Sequence, residues 1–159
     1  MERRTGIGYD IHRIATGRPL VLGGVRFESP WGLDGHSDAD VLAHAIGDAL
    51  LGSLALGDLG VHFPPGDPQW KDASSLDLLA RIRALVEQRG ARIVNVDSCV
   101  VAEAPKLMPM RVKMCAALAS ALGIDVGRVS VKATTNETLG AVGRGEGIAA
   151  WAIATVELP

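Results

Sequence analysis

The chain has 159 residues, of which 48% are hydrophobic, 21% charged and only 4% aromatic. This composition predicts one globular domain over residues 1–159, and no apolar run approaches the ~20 residues that a membrane-spanning helix needs. The net charge of −2 argues against the broad basic surface of a nucleic-acid-binding protein. The start of the chain has no signal-peptide pattern, and two cysteines are too few for a disulfide framework, so we expect a cytoplasmic protein with reduced thiols.

Strand-like and helix-like patterns alternate along the chain, which predicts an α/β fold. Three helices would cover one face of a sheet of four or five strands. In chain order we predict strand 6–14, strand 19–27 with a bend at Gly23-Gly24, helix 37–56 with Ser37 or Asp38 as N-cap, loop 57–74, helix 75–90, strand 91–104, a helix with Pro105 in its first turn that runs to about Leu122, strand 127–135, a glycine-rich turn and strand 147–158.

The last predicted strand is apolar on both faces. Its even-numbered residues from Ile148 to Leu158 are apolar, and so are Ala149, Trp151 and Ile153 on the other side. A strand of this kind needs cover on both faces, and the helices supply only one. A second copy of the chain is the cover we expect, the alternative being a monomer with a short extra layer.

Helix 37–56 is predicted to combine an anion site with a metal ligand. Residues 35–37 lie just before its first turn, where free backbone N–H groups attract anions. Asp40, His44 and Asp48 are spaced four apart and therefore share one face. We expect Asp48 to accept the second ring N–H of His44 and so fix its tautomer. The alternative is a histidine that is satisfied elsewhere or solvated.

The first strand offers two more ligands for the same metal. Asp10 and His12 alternate with Tyr9 and Ile11, so both side chains leave the strand on one face. With His44 they make a set of one oxygen and two nitrogens. That set suits Zn²⁺ with an open fourth position, which is the arrangement of catalytic zinc sites. The hypothesis requires that the first strand and the helix meet.

A third polar cluster follows strand 127–135. Lys132, Thr134, Thr135 and Glu137 supply an ammonium group, hydroxyls and a carboxylate, and the glycines after them allow close backbone approach. This set suits phosphate binding with a bridging Mg²⁺. It is not a P-loop, since G-x-x-x-x-G-K-[ST] is absent. A hydrogen-bonded turn without a ligand is the alternative.

Eight segments form a pattern along the chain: Gly8–Arg13, Gly32–Val41, His44-Ala45, Gly57–Gly60, Phe63-Pro64, Ala104–Lys106, Val131–Thr135 and Gly143–Gly147. In their order and spacing they resemble the 2-C-methyl-D-erythritol 2,4-cyclodiphosphate synthase family over essentially the whole chain. The resemblance implies a mixed β-sheet with helices packed on one face, in a homotrimer whose sheets face the three-fold axis and whose active sites lie between subunits.

The resemblance also implies a reaction of the non-mevalonate isoprenoid pathway. In 4-diphosphocytidyl-2-C-methyl-D-erythritol 2-phosphate, an oxygen of the 2-phosphate attacks the β-phosphorus. CMP leaves and the cyclic diphosphate forms, without water and without a covalent enzyme intermediate. Catalysis would then depend on positioning and on charge neutralisation.

Site residues follow from the same resemblance. Asp10, His12 and His44 match the family's Zn²⁺ ligands, and Glu137 matches the carboxylate near a Mg²⁺ or Mn²⁺ ion that bridges the diphosphate. His36 and Thr135 match residues credited with transition-state stabilisation. The substrate-binding positions that match are Asp10, His12, His36, Ser37, Asp58, Leu59, Gly60, Phe63, Pro64, Pro65, Gly66, Asp67, Ala102, Glu103, Ala104, Pro105, Lys106, Leu107, Met108, Lys132, Thr134, Thr135, Asn136, Glu137 and Arg144.

Within the substrate-binding set, the resemblance assigns different parts of the substrate to different segments. Residues 36–37, 58–60 and 63–67 match the erythritol side, residues 102–108 match the segment around the cytidine, and residues 134–135 match contacts to the diphosphate. Ala141 stands where the family often has an aromatic residue, which weakens the expectation of an accessory lipid site beside Arg144.

Two other functions remain open at this point. A zinc-dependent phosphoester hydrolase would use the same three ligands to activate a water molecule. A trimeric nucleotide-binding or structural metal protein would need a fourth protein ligand, and no cysteine lies near the three.

Overall fold

The computed structural model describes residues 1–159, with seven strands and five helices. Short 3₁₀ turns lie at Pro68–Trp70, Met108–Met110 and Val126–Arg128. The elements are β1 (Glu2–Thr16), β2 (Leu20–Leu22), β3 (Val25–Phe27), β4 (Trp31–Leu33), α1 (Val41–Ser53), α2 (Leu59–His62), α3 (Ser75–Gln88), β5 (Arg92–Val101), α4 (Arg111–Leu122), β6 (Val129–Thr134), α5 (Gly140–Gly143) and β7 (Gly147–Leu158).

Five of the strands form one mixed sheet in the order β4-β1-β7-β5-β6. Only β5 and β6 are parallel neighbours, and the other pairs are antiparallel. The predicted strand 19–27 is instead a separate hairpin of β2 and β3. Its turn is Gly23-Gly24, where both residues have positive φ, the conformation that glycine adopts at little cost. The short strand β4 was not predicted.

Helices α1, α3 and α4 pack on one face of the sheet, as expected. They enclose one cluster of 35 buried apolar residues built mainly from leucine, valine, isoleucine and alanine. The predicted apolar stripe of α1, from Val41 to Leu50, lies wholly inside this cluster. None of the helices is both long enough and apolar enough to cross a membrane.

Helix α1 lies unusually close to β1 because two glycines of the strand face it. A Cβ atom at Gly8 would lie 1.8 Å from the carbonyl oxygen of Ala45, and one at Gly6 would lie 2.0 Å from that of Ala49. Backbone therefore packs directly on backbone along this line. The contact sets the height of α1 above the strand that contains Asp10 and His12.

Two predicted helix starts are wrong. Asp40, not Ser37 or Asp38, is the N-cap of α1, because its carboxylate accepts a hydrogen bond from the backbone N–H of Ala43. Pro105 is not in the first turn of α4, which begins at Arg111. The residues between β5 and α4 form an irregular loop instead.

The other face of the sheet, called the open face here, is covered only beside Ala149 and Val101, where Val142 of α5 packs against them. It presents Ile7, Tyr9, Ile11, Trp151 and Ile153, which are between 44% and 65% exposed. Tyr9 and Trp151 are paired across the strands, with ring centroids 4.5 Å apart. The prediction that β7 is apolar on both faces is confirmed, and its second face is left uncovered from Trp151 to Ile153 in the single chain.

Candidate active site

Asp10, His12 and His44, called the triad here, converge where α1 crosses β1. Oδ2 of Asp10 lies 2.8 Å from Nε2 of His12 and 3.1 Å from Nδ1 of His44, and the two nitrogens are 3.2 Å apart. The three donor atoms all lie within 4.8 Å of one another, which fits the binding of a single metal ion. The predicted meeting of strand and helix is therefore confirmed.

Backbone contacts determine which nitrogen His12 presents to the triad. Its Nδ1–H donates to the carbonyl oxygen of Asp34 at 2.6 Å, and a carbonyl can only accept. Nε2 of the neutral ring therefore has the lone pair and points at Asp10 and His44. A metal-binding histidine usually has a second hydrogen bond of this kind, which orients the ring.

The triad residues perturb one another's protonation. Burial alone would raise the pKa of Asp10, but hydrogen bonds from the protonated forms of the His12 and His44 rings lower it to about 2. Burial alone would lower the pKa of His12, but the Asp10 carboxylate and the carbonyl of Asp34 raise it above 6.5. The carboxylate is therefore ionised at neutral pH and available as a ligand.

Asp40 and Asp48 both accept hydrogen bonds from backbone N–H groups instead of from the His44 ring. The Asp40 side chain turns back toward the hairpin and accepts from the N–H groups of Gly23 and Gly24, at 2.9 and 2.7 Å. Asp48 accepts from the N–H of Leu59 at 2.9 Å and does not contact His44. The expectation that Asp48 binds the second ring nitrogen of His44 is wrong.

The triad opens into a cleft of about 380 Å³, called the triad cleft. Its polar wall includes the predicted residues His36 and Ser37, beside the start of α1. Asp48, Trp70 and Leu78 line it as well, although they were not predicted. The predicted residues that line it are Asp10, His12, His36, Ser37, His44, Asp58, Leu59, Gly60, Phe63 and Pro65, whereas Pro64, Gly66 and Asp67 do not.

The loop predicted over 57–74 forms one wall of the triad cleft. Asp58 caps the short helix α2 by accepting from the N–H of Val61. Phe63 packs edge-on against Trp70, and the Arg81 guanidinium lies 5.1 Å from the centre of the Trp70 ring. Trp70 therefore fixes the loop against α3. A tryptophan in a proline-rich loop is a sequence signal for such a contact, and the sequence analysis missed it.

His36 is held by the same loop. Its Nε2–H donates to the carbonyl oxygen of Asp67 at 2.9 Å, and its own carbonyl accepts from the N–H of Asp72. Asp67 therefore orients His36 by a backbone group. This contact places the imidazole on the wall of the triad cleft.

A second cleft, of about 230 Å³, lies at the far edge of the sheet. It is formed by the irregular loop after β5 and by the end of β6. Pro109 and Ala133 add to the predicted set. The predicted residues that line it are Ala102, Glu103, Pro105, Lys106, Leu107, Met108, Thr134 and Thr135, whereas Ala104, Asn136 and Glu137 do not.

Glu137 follows the second cleft in an exposed turn. It and Thr138 both have positive φ, 52° and 63°, which is uncommon for residues with a side chain. The N–H of Thr138 donates to Oε1 of Glu103 at 2.9 Å, so a residue of one wall holds the turn on the other. The Glu137 carboxylate has no partner in the chain.

Lys132 and Arg144 lie outside both clefts. The Lys132 ammonium group is 2.5 Å from Oδ2 of Asp97, beside Trp151 on the open face. Nε of Arg144 is 2.6 Å from Oε2 of Glu146. Strand alternation explains the first case, because Lys132 and Val131 point to opposite faces and Val131 is buried under the helices.

The two clefts lie at the same level along the strand direction, but beside different strands of the sheet. Ile11 pairs with Ala149, which also pairs with Val101, and Val101 pairs with Thr134. Three strand spacings therefore separate the backbone beside the triad from Thr134, or ~14 Å. The triad and the Thr134–Thr135 segment do not form one compact site within a single chain.

Comparison with known proteins identifies the family of the chain. A family model described as the YgbB family matches residues 3–157. The 2-C-methyl-D-erythritol 2,4-cyclodiphosphate synthase of Akkermansia muciniphila is 60% identical over 156 residues, which cover 98% of this chain and 92% of that protein. The protein of the same name from Thermosynechococcus vestitus is 59% identical, over 99% of this chain and 98% of its own.

Solved structures give the same result. The bifunctional IspDF from Campylobacter jejuni superimposes with a TM-score of 0.95 and 41% identity over 99% of this chain, which spans only 43% of that protein. IspF from Plasmodium falciparum, solved in complex with CDP, has a TM-score of 0.85 and 34% identity, with coverage of 97% and 95%. A full-length family match, close relatives and a shared fold lead to one conclusion: the chain belongs to the YgbB family.

Proposed function

We propose that the chain converts 4-diphosphocytidyl-2-C-methyl-D-erythritol 2-phosphate into 2-C-methyl-D-erythritol 2,4-cyclodiphosphate and CMP. An oxygen of the 2-phosphate forms a bond to the β-phosphorus, and the bond from that phosphorus to the bridging oxygen breaks. CMP leaves with that oxygen and its electron pair, so no water is consumed. The observation that most supports this function is the triad within a cleft of a YgbB chain.

The donor set of the triad fits Zn²⁺. One carboxylate oxygen and two imidazole nitrogens lie within 4.8 Å of one another, and the cleft leaves one side open to substrate. When bound, such an ion would supply Lewis-acid neutralisation of a phosphate oxygen. Asp10, His12 and His44 would hold it, while His36 and Ser37 on the neighbouring wall would bind the 2-phosphate.

A Mg²⁺ or Mn²⁺ ion on the diphosphate is the second metal that we propose. Glu137 is the residue that would bind it, because its carboxylate is exposed and unpaired beside Thr134 and Thr135. Carboxylates together with phosphate oxygens are the usual Mg²⁺ ligands. Thr135 would donate to the diphosphate as charge moves toward the leaving group.

The two clefts would divide the substrate between them. Asp58, Leu59, Gly60, Phe63 and Pro65 line the space where the erythritol would lie. The second cleft, lined by Ala102, Glu103 and Pro105–Met108, would hold the cytidine. The Plasmodium falciparum relative was solved with CDP bound, which supports a nucleotide site in this fold.

We also propose that the working form is a homotrimer with active sites between subunits. The separation of ~14 Å between the triad strand and Thr134 leaves each chain with two partial sites. The open face, with Tyr9, Trp151 and Ile153, gives an apolar surface for association. A neighbouring chain would then bring its second cleft to the triad cleft. Residues 1–159 would act as one domain in this assembly.

³¹P NMR of the zinc-loaded protein with the cytidine diphosphate substrate and Mg²⁺ tests the reaction. We expect a cyclic diphosphate signal and one equivalent of CMP. Open-chain phosphates would instead indicate a zinc-dependent phosphoester hydrolase, which the family match does not support. No turnover with bound nucleotide would indicate a binding protein and would contradict the proposal.

A further inference from the structure

His44 has a second ring nitrogen that faces away from the triad. Its Nε2 lies 2.8 Å from Oγ of Ser75 and 3.1 Å from Oγ of Ser37. Ser75 is the first residue of α3 and is only 1% exposed. The contact therefore joins α1 to α3 directly behind the triad.

The hydroxyl proton of Ser75 is already committed to another acceptor. Oγ of Ser75 donates to Oδ1 of Asp38, and the backbone N–H of Ser75 donates to Oδ2 of the same carboxylate at 2.9 Å. A hydroxyl has one proton and two lone pairs. Toward His44, Ser75 can therefore only accept, and the ring nitrogen that faces it must have the proton.

We propose that Ser75, oriented by Asp38, is a positioning residue that holds His44 as the Nε2–H tautomer and so leaves the Nδ1 lone pair directed at the triad. This inference rests on the metal centre of the proposed function. It identifies the acceptor that Asp48 was expected to provide. Partners of this kind raise metal affinity because a ligand held in the binding tautomer and orientation needs no rearrangement.

Ser37 does not have the same specificity. Its Oγ accepts weakly from the N–H of Ala39, at 3.3 Å, and its own proton has no other acceptor. That hydroxyl can donate to His44 or accept from it, so it stabilises either tautomer. Only Ser75 distinguishes the two.

The test compares Ser75→Ala and Ser75→Cys with Ser74→Ala. Ser75→Cys keeps the side-chain volume but replaces the oxygen with a weak acceptor, and neither variant removes the N–H bond to Asp38. Ser74 is exposed and its side chain makes no capping bond, so Ser74→Ala is the matched control. Zinc affinity is measured by chelator competition on the full chain.

We expect both Ser75 variants to bind zinc about 10- to 100-fold more weakly than Ser74→Ala, with folding intact by circular dichroism. Long-range ¹H–¹⁵N histidine spectra of the zinc-free chain, at alkaline pH, give the second readout. They should show the Nε2–H tautomer of His44 in the wild type and a mixture in both Ser75 variants. A structural role of Ser75 would not change that signature.

Two results would overturn the inference in distinguishable ways. Affinities and tautomer signals that match in Ser75→Ala, Ser75→Cys and Ser74→Ala would remove the role of Ser75 and leave the metal centre intact. A wild-type chain that binds no zinc would remove the metal centre itself, and the positioning role with it.

Discussion

Three aspartates of β1 and α1 show how one side-chain type takes different roles in neighbouring parts of the fold. Asp10 has two imidazoles as neighbours and stays ionised, with a pKa of about 2. Asp40 is fully buried and accepts from the backbone of a hairpin and of its own helix. Asp48 lines the triad cleft and holds Leu59, and burial raises its pKa. The partner of each carboxylate, more than its spacing in the sequence, determines which one can bind a metal.

Replacing His44 with alanine should abolish the proposed zinc site without unfolding the chain. The variant leaves one carboxylate and one imidazole, and we expect zinc affinity and turnover to fall more than ~100-fold, beyond the loss typical of an outer partner. Bound zinc by elemental analysis and product by ³¹P NMR are the measurements. His62→Ala is the control, since His62 donates only to the carbonyl of Leu56. Full zinc occupancy in His44→Ala would contradict the assignment.

The pair of Asp10 and His12 predicts a stability maximum for the zinc-free chain at mildly acidic pH. The lowered pKa of Asp10 contributes stability that is present above pH 3.8 and is lost as pH falls toward about 2. The raised pKa of His12 contributes stability that is present below pH 6.5 and is lost as pH rises through its folded value. Melting temperatures across pH should therefore peak between these limits. Asp10→Asn should flatten both slopes, and an unchanged profile in that variant would contradict the pairing.

At the scale of elements, the contact of α1 with β1 sets the distance between His44 and the strand ligands. Gly6 and Gly8 remove the side chains that would otherwise hold the helix away. Metal ligands in two different elements can share an ion only if those elements are rigidly spaced. The glycines of β1 are in this sense part of the site, although neither contacts a ligand.

Gly8→Ala should damage stability and zinc binding together. The new Cβ would lie 1.8 Å from a backbone oxygen of α1, so the helix must move, and we expect a loss of about 3 kcal/mol in the free energy of unfolding. Gly52→Ala on the same helix is the control, because its Cβ meets nothing closer than 3.9 Å and helix propensity favours it by up to ~1 kcal/mol. Urea denaturation and zinc titration measure both effects. Equal stabilities would contradict the packing argument.

Local patterns predict this fold where local forces decide it. The alternation of residue types predicted both faces of β1 and β7, and the helical spacing of apolar residues predicted α1. Both predictions are right because burial follows these periods directly. The predicted starts of α1 and α4 were wrong because contacts with distant segments determine the conformation of Asp40 and of the loop after Val101. The partner of His44 was wrong for the same reason. Ser75 lies 31 residues from His44, and no spacing rule links them.

At the scale of the whole molecule, an uncovered apolar face and two partial clefts favour the same assembly. Tyr9, Trp151 and Ile153 lie on the sheet face opposite the helices, and all three remain at least 44% exposed. Exposed apolar patches of this kind usually mark an interface. If the open faces of several chains meet, each sheet gains its second cover, and neighbouring clefts are brought together.

Ile153→Arg should dissociate the assembly. Three arginines close together at the shared interface would repel one another and lose their hydration, which costs more than the apolar contacts stabilise. Light scattering after gel filtration should give three times the 16.6 kDa chain mass for the wild type and a single chain for the variant. Ala80→Arg, on the exposed side of α3, should remain a trimer. A wild-type chain that elutes alone would refute the assembly.

The separation of the triad from Thr134 along the sheet has a consequence for mixed populations of chains. Suppose that His44→Ala chains are co-refolded with Thr135→Ala chains, each inactive alone. A mixed ring of three always contains one junction that joins an intact triad to an intact threonine segment. Random equal mixing would then restore about one quarter of the wild-type sites, by the arithmetic of cyclic symmetry. Two inactive variants would regain activity because one contributes its triad and the other its threonine segment to the same site. Chains with a self-contained site could not complement each other in this way.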